Sequence, residues 1–165
     1  MKKMEQFFLS PITRRILEEK LKELREKRRK IGEEGIPWPH EGPGVHVVLQ
    51  QTEAEISRIE EILSGCVVYN FPQNPEKIEL GSGATLTMIG GDLKEKMKLG
   101  MVSPIDVSYL PPYHELVWVS PESPLGKALV DKMEGEEFTY KNPEGTLWKV
   151  TIEEIFSLSE VFKNE

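Results

Sequence analysis

Cysteine, histidine and long apolar runs are all scarce in this sequence of 165 residues. It contains one cysteine, Cys66, and three histidines, at positions 40, 46 and 114. A single cysteine excludes an internal disulfide framework, and the scattered histidines argue against a metal site built on these residue types. No apolar run approaches the roughly 18 residues that a membrane-spanning helix needs, and no signal-peptide pattern precedes the first charged residues. We therefore expect a cytoplasmic protein that has no membrane partner.

Motifs of the common enzyme classes are missing too. The sequence has no phosphate-binding P-loop, no dinucleotide-binding glycine fingerprint and no nucleophile elbow. Its only glycine clusters, at 81–83 and 90–91, do not open a predicted helix, so turns beside strands explain both. The sequence therefore gives no sign of a catalytic centre that acts by itself.

The charge is distributed unevenly along the chain, whose net charge is −7. Residues 1–30 contain eleven Lys or Arg and five Glu, whereas the remaining residues contain ten basic and twenty-three acidic side chains. Most of such a surface would repel phosphate, which excludes a general nucleic-acid coat. The basic arm could contact nucleic acid locally, or it could be the solvated face of a helix.

Two segments near the N-terminus have the alternating spacing of three and four residues that is typical of a coiled coil. The first seam consists of Leu17, Leu21, Leu24, Arg28 and Ile31, and the second of Val45, Leu49, Thr52, Ile56, Ile59 and Leu63. Ser10-Pro11 predicts the start of the first helix, and Gly65 predicts the end of the second. The connector contains three prolines and three glycines, which no helix can run through. We therefore expect an antiparallel hairpin over residues 1–65, with its tip at about 33–44.

The pattern changes after residue 66, where short apolar or alternating runs are separated by Gly, Pro and Asn turns. Strands are predicted at 66–69, 84–89, 102–107, 115–119, 138–140 and 147–152. A short helix is predicted at 123–133, and a second short helix or an ordered extension at 153–162. The sequence therefore predicts an α+β protein with a second domain over residues 66–165.

Several motifs of this sequence resemble the bacterial transcript cleavage factors GreA and GreB. The segment 120–129 reads S-P-E-S-P-L-G-K-A-L and is followed by Gly135 and by N-P-E-G at 142–145, which is similar to the C-terminal domain of that family. The segments 9–11, 58–63 and 81–86 resemble other parts of the family, so the resemblance spans nearly the whole chain. It implies a coiled-coil hairpin followed by an antiparallel β domain of the FK506-binding-protein-like fold.

The resemblance implies an accessory protein of RNA polymerase, and not an enzyme in its own right. Members of the family dock their C-terminal domain on the rim of the secondary channel, and the hairpin enters that channel. Acidic residues at the hairpin tip help to hold a second Mg²⁺, so that the polymerase cuts the 3′ end of a backtracked transcript by two-metal hydrolysis. We therefore expect a monomer whose partners are RNA polymerase and the nascent RNA 3′ end. It would have no cofactor of its own and would share Mg²⁺ with the polymerase.

The resemblance assigns polymerase binding to five consecutive residues, Ser123, Pro124, Leu125, Gly126 and Lys127. A purely structural role is an alternative for this segment, because serine followed by proline starts many helices and Leu125 would then face a core. The two roles are compatible, since the loop that leads into such a helix can remain exposed.

The predicted tip departs from the family pattern. Glu41 falls on the family's tip glutamate, whereas Trp38 falls on its aspartate. Glu33 and Glu34 precede the tip and could replace the missing carboxylate. We assign Glu41, Glu33 and Glu34 to the cleavage function and Glu41 to the shared metal, because Mg²⁺ prefers oxygen ligands. An acidic solvated loop is the alternative.

Basic residues before the tip are assigned to contacts with the transcript, namely Arg25, Arg28, Arg29 and Lys30. Arg28-Arg29 matches a pair of arginines in the family, and arginine suits bidentate contacts to phosphate. Arg28 also lies on the heptad seam, which favours a role beyond solubility. The alternative is solubilising charge combined with Glu–Lys pairs along the helix.

Two other functions stay open. A Gre-like regulator or inhibitor would occupy the channel without stimulating cleavage. It is favoured by Trp38 and by a first arm that is about six residues, or about 9 Å, shorter than the family's. A peptidyl-prolyl isomerase is suggested only by fold analogy, and the Gre version of the fold lacks the aromatic substrate pocket.

Overall fold

The computed structural model describes residues 7–34, 44–113 and 115–163, which form a helical hairpin and a five-stranded sheet. The predicted α+β class, with the hairpin first and a β domain after it, is confirmed. Residues 35–43 of the predicted tip, which include Trp38 and Glu41, lie outside the described residues. Within the described ranges no helix is long and apolar enough to cross a membrane.

The hairpin consists of α1 (Pro11–Glu34) and α2 (Gly44–Gly65). Helix α1 begins where predicted, since the Ser10 hydroxyl oxygen accepts a hydrogen bond from the Thr13 amide at 3.1 Å. Its 24 residues make it about 36 Å long. The two helices bury one shared apolar seam, formed by Leu17, Leu21, Leu24, Ile56, Ile59 and Ile62.

The predicted seam is correct near the sheet and wrong at two positions. Arg28 has seam spacing but is exposed, because an arginine at this position keeps its charged end in water. At the end of α2, Ile62 is buried and Leu63 only half-buried, so the buried stripe shifts by one residue.

A short parallel pair of strands closes the base of the hairpin. β1 (Phe7–Leu9) pairs with β2 (Cys66–Val68), with Phe7 opposite Cys66 and Leu9 opposite Val68. This pairing brings the start of α1 next to the end of α2, so the packed helices run antiparallel. The predicted strand at 66–69 is confirmed, whereas β1 was not predicted because three residues carry too little pattern.

The main sheet has the strand order β5-β4-β3-β7-β6. Its strands are β3 (Ser82–Gly90), β4 (Leu93–Met101), β5 (Leu116–Val119), β6 (Glu137–Lys141) and β7 (Leu147–Ser157). Three of the four pairings are antiparallel, but β4 and β5 run parallel. The prediction of an entirely antiparallel sheet is therefore wrong at one edge, because the chain crosses over through a helix between β4 and β5.

The predicted strand at 102–107 is wrong, because the start of a helix occupies most of this region. β4 ends at Met101, and α3 (Pro104–Tyr109) follows. Ser103 caps α3 in a capping box, in which its hydroxyl accepts from the Asp106 amide while the Asp106 carboxylate accepts from the Ser103 amide. β4 was not predicted, although Leu93, Met97 and Leu99 alternate with lysines at 94, 96 and 98 in the period of a strand.

The remaining elements complete two packed layers. α4 (Pro124–Leu129) lies within the predicted helix at 123–133, and Leu129 is buried against the sheet. The tail predicted as a helix or extension at 153–162 is a strand up to Ser157, followed by the four-residue helix α5 (Leu158–Val161). The strand continues because Ile152, Ile155 and Ser157 are buried in the sheet.

The hairpin and the sheet share a buried boundary. Val102, Leu110 and Phe162 lie in a cluster that Ile12 and Ile16 of α1 also contact. The predicted division of the chain at residue 65 stays a prediction.

Removal of side-chain volume from the hairpin seam should destabilise the protein. Ile59 is fully buried, so Ile59→Ala should lower the free energy of unfolding by about 2–5 kcal/mol. Val47 lies on the same helix and is 46% exposed, so Val47→Ala should change the same quantity by less than about 0.5 kcal/mol. Urea unfolding followed by circular dichroism measures both. Equal unfolding midpoints would contradict the packing described here.

Candidate functional site

A groove of about 420 Å³ lies on the β domain, beside the segment 123–127. Four parts of the chain line it: α3, the end of β5, the start of α4 and the β6–β7 hairpin. Three of the five predicted polymerase-binding residues, Ser123, Pro124 and Leu125, are among the lining residues. The structure therefore brings the sequence-predicted loop together with two segments that are distant in sequence, α3 and the β6–β7 hairpin.

The local conformation of the loop follows from its own sequence. Ser123 caps α4, since its hydroxyl accepts from the Gly126 amide at 3.0 Å and donates to the Ser120 carbonyl at 2.8 Å. Pro124 occupies the first helical turn, where its fixed φ fits and its missing N–H is no loss. The helix start is therefore held by capping, and the exposed Pro124 forms part of the groove wall.

Gly126 is required by close packing of the backbone. A Cβ atom at this position would lie 1.7 Å from the Ser120 carbonyl oxygen, so any side chain here would force the two segments apart. Gly126 is buried and does not line the groove, and Lys127 is exposed next to it. Within the predicted five-residue segment, Gly126 therefore shapes the loop while its neighbours form the accessible surface.

Several groove residues were missed by the sequence analysis. Pro104 and Val107 of α3 form one wall, with Val107 41% exposed. Trp118 of β5 is half-buried, and its indole N–H donates to the Pro111 carbonyl at 3.0 Å. Tyr140 lines the groove from β6. No local signal could have united these residues, because the sheet and its crossover assemble them.

The four basic residues assigned to the transcript are all exposed on the last turns of α1. Arg25 forms an ion pair with Glu60 of α2 at 3.3 Å, and Arg29 forms ion pairs with Glu26 and Glu33. For Arg28 and Lys30 no ion pair within the described residues is recorded. Arg25 therefore contributes to the pairing of the two helices, whereas Arg29 pairs along α1.

Charge pairing across the hairpin places basic residues on α1 against acidic residues on α2. Lys20 contacts Glu55 at 2.8 Å, and the hydrogen bond to that carboxylate raises the pKa of the Lys20 ammonium above its ordinary value. Both side chains are about 40% exposed, so the pair adds at most about 1 kcal/mol to stability. Part of the basic arm is thus explained by the hairpin itself.

The predicted tip acids are only partly described. Glu33 is exposed in the last turn of α1 and pairs with Arg29, and Glu34 is the last residue of that helix. Glu41 lies outside the described residues, so its roles in cleavage and metal binding stay predictions. In the part of the chain that is described, no cluster of His, Cys, Asp or Glu is arranged to hold a metal ion.

Comparison with known proteins gives a match that covers the groove. The family model described as "Transcription elongation factor, GreA/GreB, C-term" matches residues 73–156. A curated relative, transcription elongation factor GreA of Saccharopolyspora erythraea, is 30% identical over 115 residues, which are 68% of this chain and 67% of that protein. The matched range 73–156 includes every residue that lines the groove.

Solved structures with similar chains are also known. GreA factor homolog 1 (Gfh1) of Thermus thermophilus aligns with 93% of this chain and 100% of its own, at 22% identity and a TM-score of 0.37. GreA/GreB from Nitrosomonas europaea aligns with 92% of this chain and 98% of its own, at 20% identity and a TM-score of 0.37. Both scores are low, so the fold described above stands on the packing and topology of this chain alone.

Two glycine substitutions should have opposite effects on stability. Gly126→Ala should lower the free energy of unfolding by at least about 2 kcal/mol, because the added carbon collides with a backbone carbonyl. Gly32→Ala adds the same atom on α1, where nothing lies within 4 Å. Because alanine has a higher helix propensity than glycine, this substitution should raise the free energy of unfolding by up to about 1 kcal/mol. Thermal unfolding of both variants measures the difference. If Gly126→Ala were as stable as Gly32→Ala, the close contact at Ser120 would be wrong.

Proposed function

Because the chain belongs to the GreA/GreB family of transcription elongation factors, we propose that it binds RNA polymerase at the secondary channel and stimulates cleavage of backtracked transcripts. It does so in the cytoplasm, as a monomer, and the polymerase carries out the chemistry. The observation that most supports this proposal is the position of Ser123, Pro124 and Leu125 on the wall of an open groove. The motif that resembles the family's docking segment is therefore accessible to a partner.

The groove binds an apolar element of the polymerase. Val107, Pro124 and Leu125 offer apolar surface, and burial of such surface is the main source of affinity at protein interfaces. The exposed Lys127 stands beside it and pairs with a carboxylate on the polymerase. A charge at the rim of an interface contributes to orientation and association rate more than to affinity.

The hairpin extends from the docked domain into the channel. The length of α1, about 36 Å, is sufficient to carry its last turns well away from the groove. Arg28 and Lys30 are exposed at that distal end and contact phosphates of the transcript. The carboxylate of Glu33 also lies at this distal end of α1, close to the predicted tip.

Carboxylates of the tip take part in cleavage. Glu33 is exposed and its oxygens are chemically suited to Mg²⁺, as are those of Glu34 and Glu41. Mg²⁺ bound at the polymerase active site would supply a polarised water for phosphodiester hydrolysis. Glu33, Glu34 and Glu41 would orient that water and offer oxygen ligands, with Glu41 as the metal ligand.

Disruption of the groove wall should prevent docking. The double variant Pro124→Ala with Lys127→Glu removes an apolar contact and reverses a rim charge, so we expect at least about a tenfold loss of polymerase affinity. Lys96→Glu is the matched control, since it makes the same charge change at an exposed position of β4. Binding to the host polymerase is measured by pull-down and titration. If the double variant binds as Lys96→Glu does, the docking site is elsewhere.

Removal of the tip carboxylates should abolish cleavage without affecting docking. The triple alanine variant at Glu33, Glu34 and Glu41 should reduce Mg²⁺-dependent RNA cleavage in a stalled, backtracked complex by at least about a hundredfold, since ligands of a catalytic metal are lost. The control removes three other exposed hairpin carboxylates, Glu19, Glu53 and Glu61, and should leave the rate within about twofold. Strong cleavage by the tip variant would contradict the assignment.

The second candidate function is a channel regulator that does not stimulate cleavage. Trp38, which stands where the family has an aspartate, favours it. Tight binding of the unmodified protein to the polymerase without any cleavage would establish this function in place of the first.

A further inference from the structure

We propose that Asp106 is a positioning residue that fixes the direction of the helical hairpin relative to the docking groove, with α3 as the element shared by both. The expected effect on cleavage rests on the proposed function. The hydrogen bonds of Asp106 are present in the free protein and do not depend on that function.

The Asp106 carboxylate is fully buried and accepts three hydrogen bonds from three separate segments. One oxygen accepts from the Ser10 amide at 2.9 Å. The other accepts from the Ser103 amide at 3.0 Å and from the Tyr69 hydroxyl. Loss of one hydrogen-bond partner from such a buried carboxylate leaves an unsatisfied polar group that is expensive to bury.

Two of these donors belong to the base of the hairpin. Ser10 lies between β1 and the start of α1, and Tyr69 directly follows β2. The Tyr69 amide also donates to the Leu9 carbonyl at 3.0 Å, so the chain entering the hairpin and the chain leaving it are bonded to each other. Asp106 thus holds both ends of the hairpin from a position on the β domain.

Helix α3 contacts the groove and the hairpin at the same time. Its six residues span about 9 Å. Pro104 and Val107 line the groove, while Ile105 and Tyr109 pack against the apolar seam of the hairpin. Since Asp106 and Val107 are adjacent, one short helix places the hydrogen bonds to the hairpin beside the groove wall.

The Tyr69 hydroxyl is well suited to remain a donor. Burial raises the pKa of the Tyr69 phenol far above its ordinary value, and the negative charge of Asp106 raises that pKa further. The phenol therefore keeps its proton over the whole physiological pH range and continues to donate to the carboxylate.

Small rotations at the base of the hairpin become large displacements at its far end. Over the roughly 36 Å of α1, a rotation of about 10° moves the last turn by about 6 Å. Metal–oxygen bonds are about 2 Å long, and a misplacement of about 1 Å costs up to about a hundredfold in rate. A hairpin free to rotate would therefore dock through the groove and still place its tip carboxylates wrongly.

The test measures hairpin direction and activity separately. Asp106→Asn replaces an acceptor oxygen by a donor NH₂ group facing the same donors. Tyr69→Phe removes one donor and keeps the ring. Asp92→Asn, at an exposed turn, is the matched control. Spin labels at positions 27 and 141, in a Cys66→Ala background, report the distance between hairpin and β domain in the free protein.

We expect Asp106→Asn to broaden the distance distribution and to reduce cleavage at saturating protein by at least about tenfold, since the tip is misplaced. Polymerase binding should persist, because the groove residues are unchanged. Tyr69→Phe should give a smaller broadening, and Asp92→Asn should give the unmodified distribution.

An unchanged distance distribution in Asp106→Asn, with the protein folded by circular dichroism, would overturn the proposal. If that variant does not fold, Tyr69→Phe decides, and a distribution identical to that of the unmodified protein would overturn it equally. If instead the unmodified protein does not bind the polymerase at all, the proposed function fails, whereas the distance measurement still tests the role of Asp106.

Discussion

The arrangement of this protein depends on one buried carboxylate that bonds the hairpin to the sheet. Asp106 accepts from Ser10, Tyr69 and Ser103, and each of these donors comes from a different part of the chain. A fully paired buried charge adds little net stability, but it tolerates very few alternative geometries, because each of them leaves the charge unsatisfied. Apolar contacts between hairpin and sheet have no preferred direction, whereas the hydrogen bonds from Ser10 and Tyr69 define a single orientation of the hairpin.

The hairpin explains part of the uneven charge distribution along the chain. Ion pairs such as Lys20–Glu55 and Arg25–Glu60 use part of the basic arm to hold α1 against α2. The basic residues further along α1 stay exposed at the end that the proposed function places near the transcript. The groove on the β domain offers apolar surface, so the proposed contacts with RNA and with the polymerase are separated along the molecule.

The sequence predicted the elements whose pattern is local and missed those that depend on distant partners. Heptad spacing and the Ser10-Pro11 start were sufficient for the hairpin, and the resemblance pointed to the segment 123–127. β4 was missed although its lysines alternate with apolar residues, and α3 was mistaken for a strand although Ser103 and Asp106 have the spacing of a capping box. Two of the three partners of Asp106, Ser10 and Tyr69, lie 96 and 37 residues away, so no local pattern could reveal them.

We propose that one rigid arrangement lets the groove dock while the hairpin enters the polymerase channel. An electron cryo-microscopy reconstruction of this protein bound to a backtracked complex of its host polymerase tests this arrangement. We expect the polymerase to cover the groove between α3 and α4, the hairpin to lie inside the channel, and the Asp106 hydrogen bonds to be intact. The proposed arrangement would be contradicted if the polymerase bound another face of the β domain. It would also be contradicted if the groove were covered while the hairpin lay outside the channel.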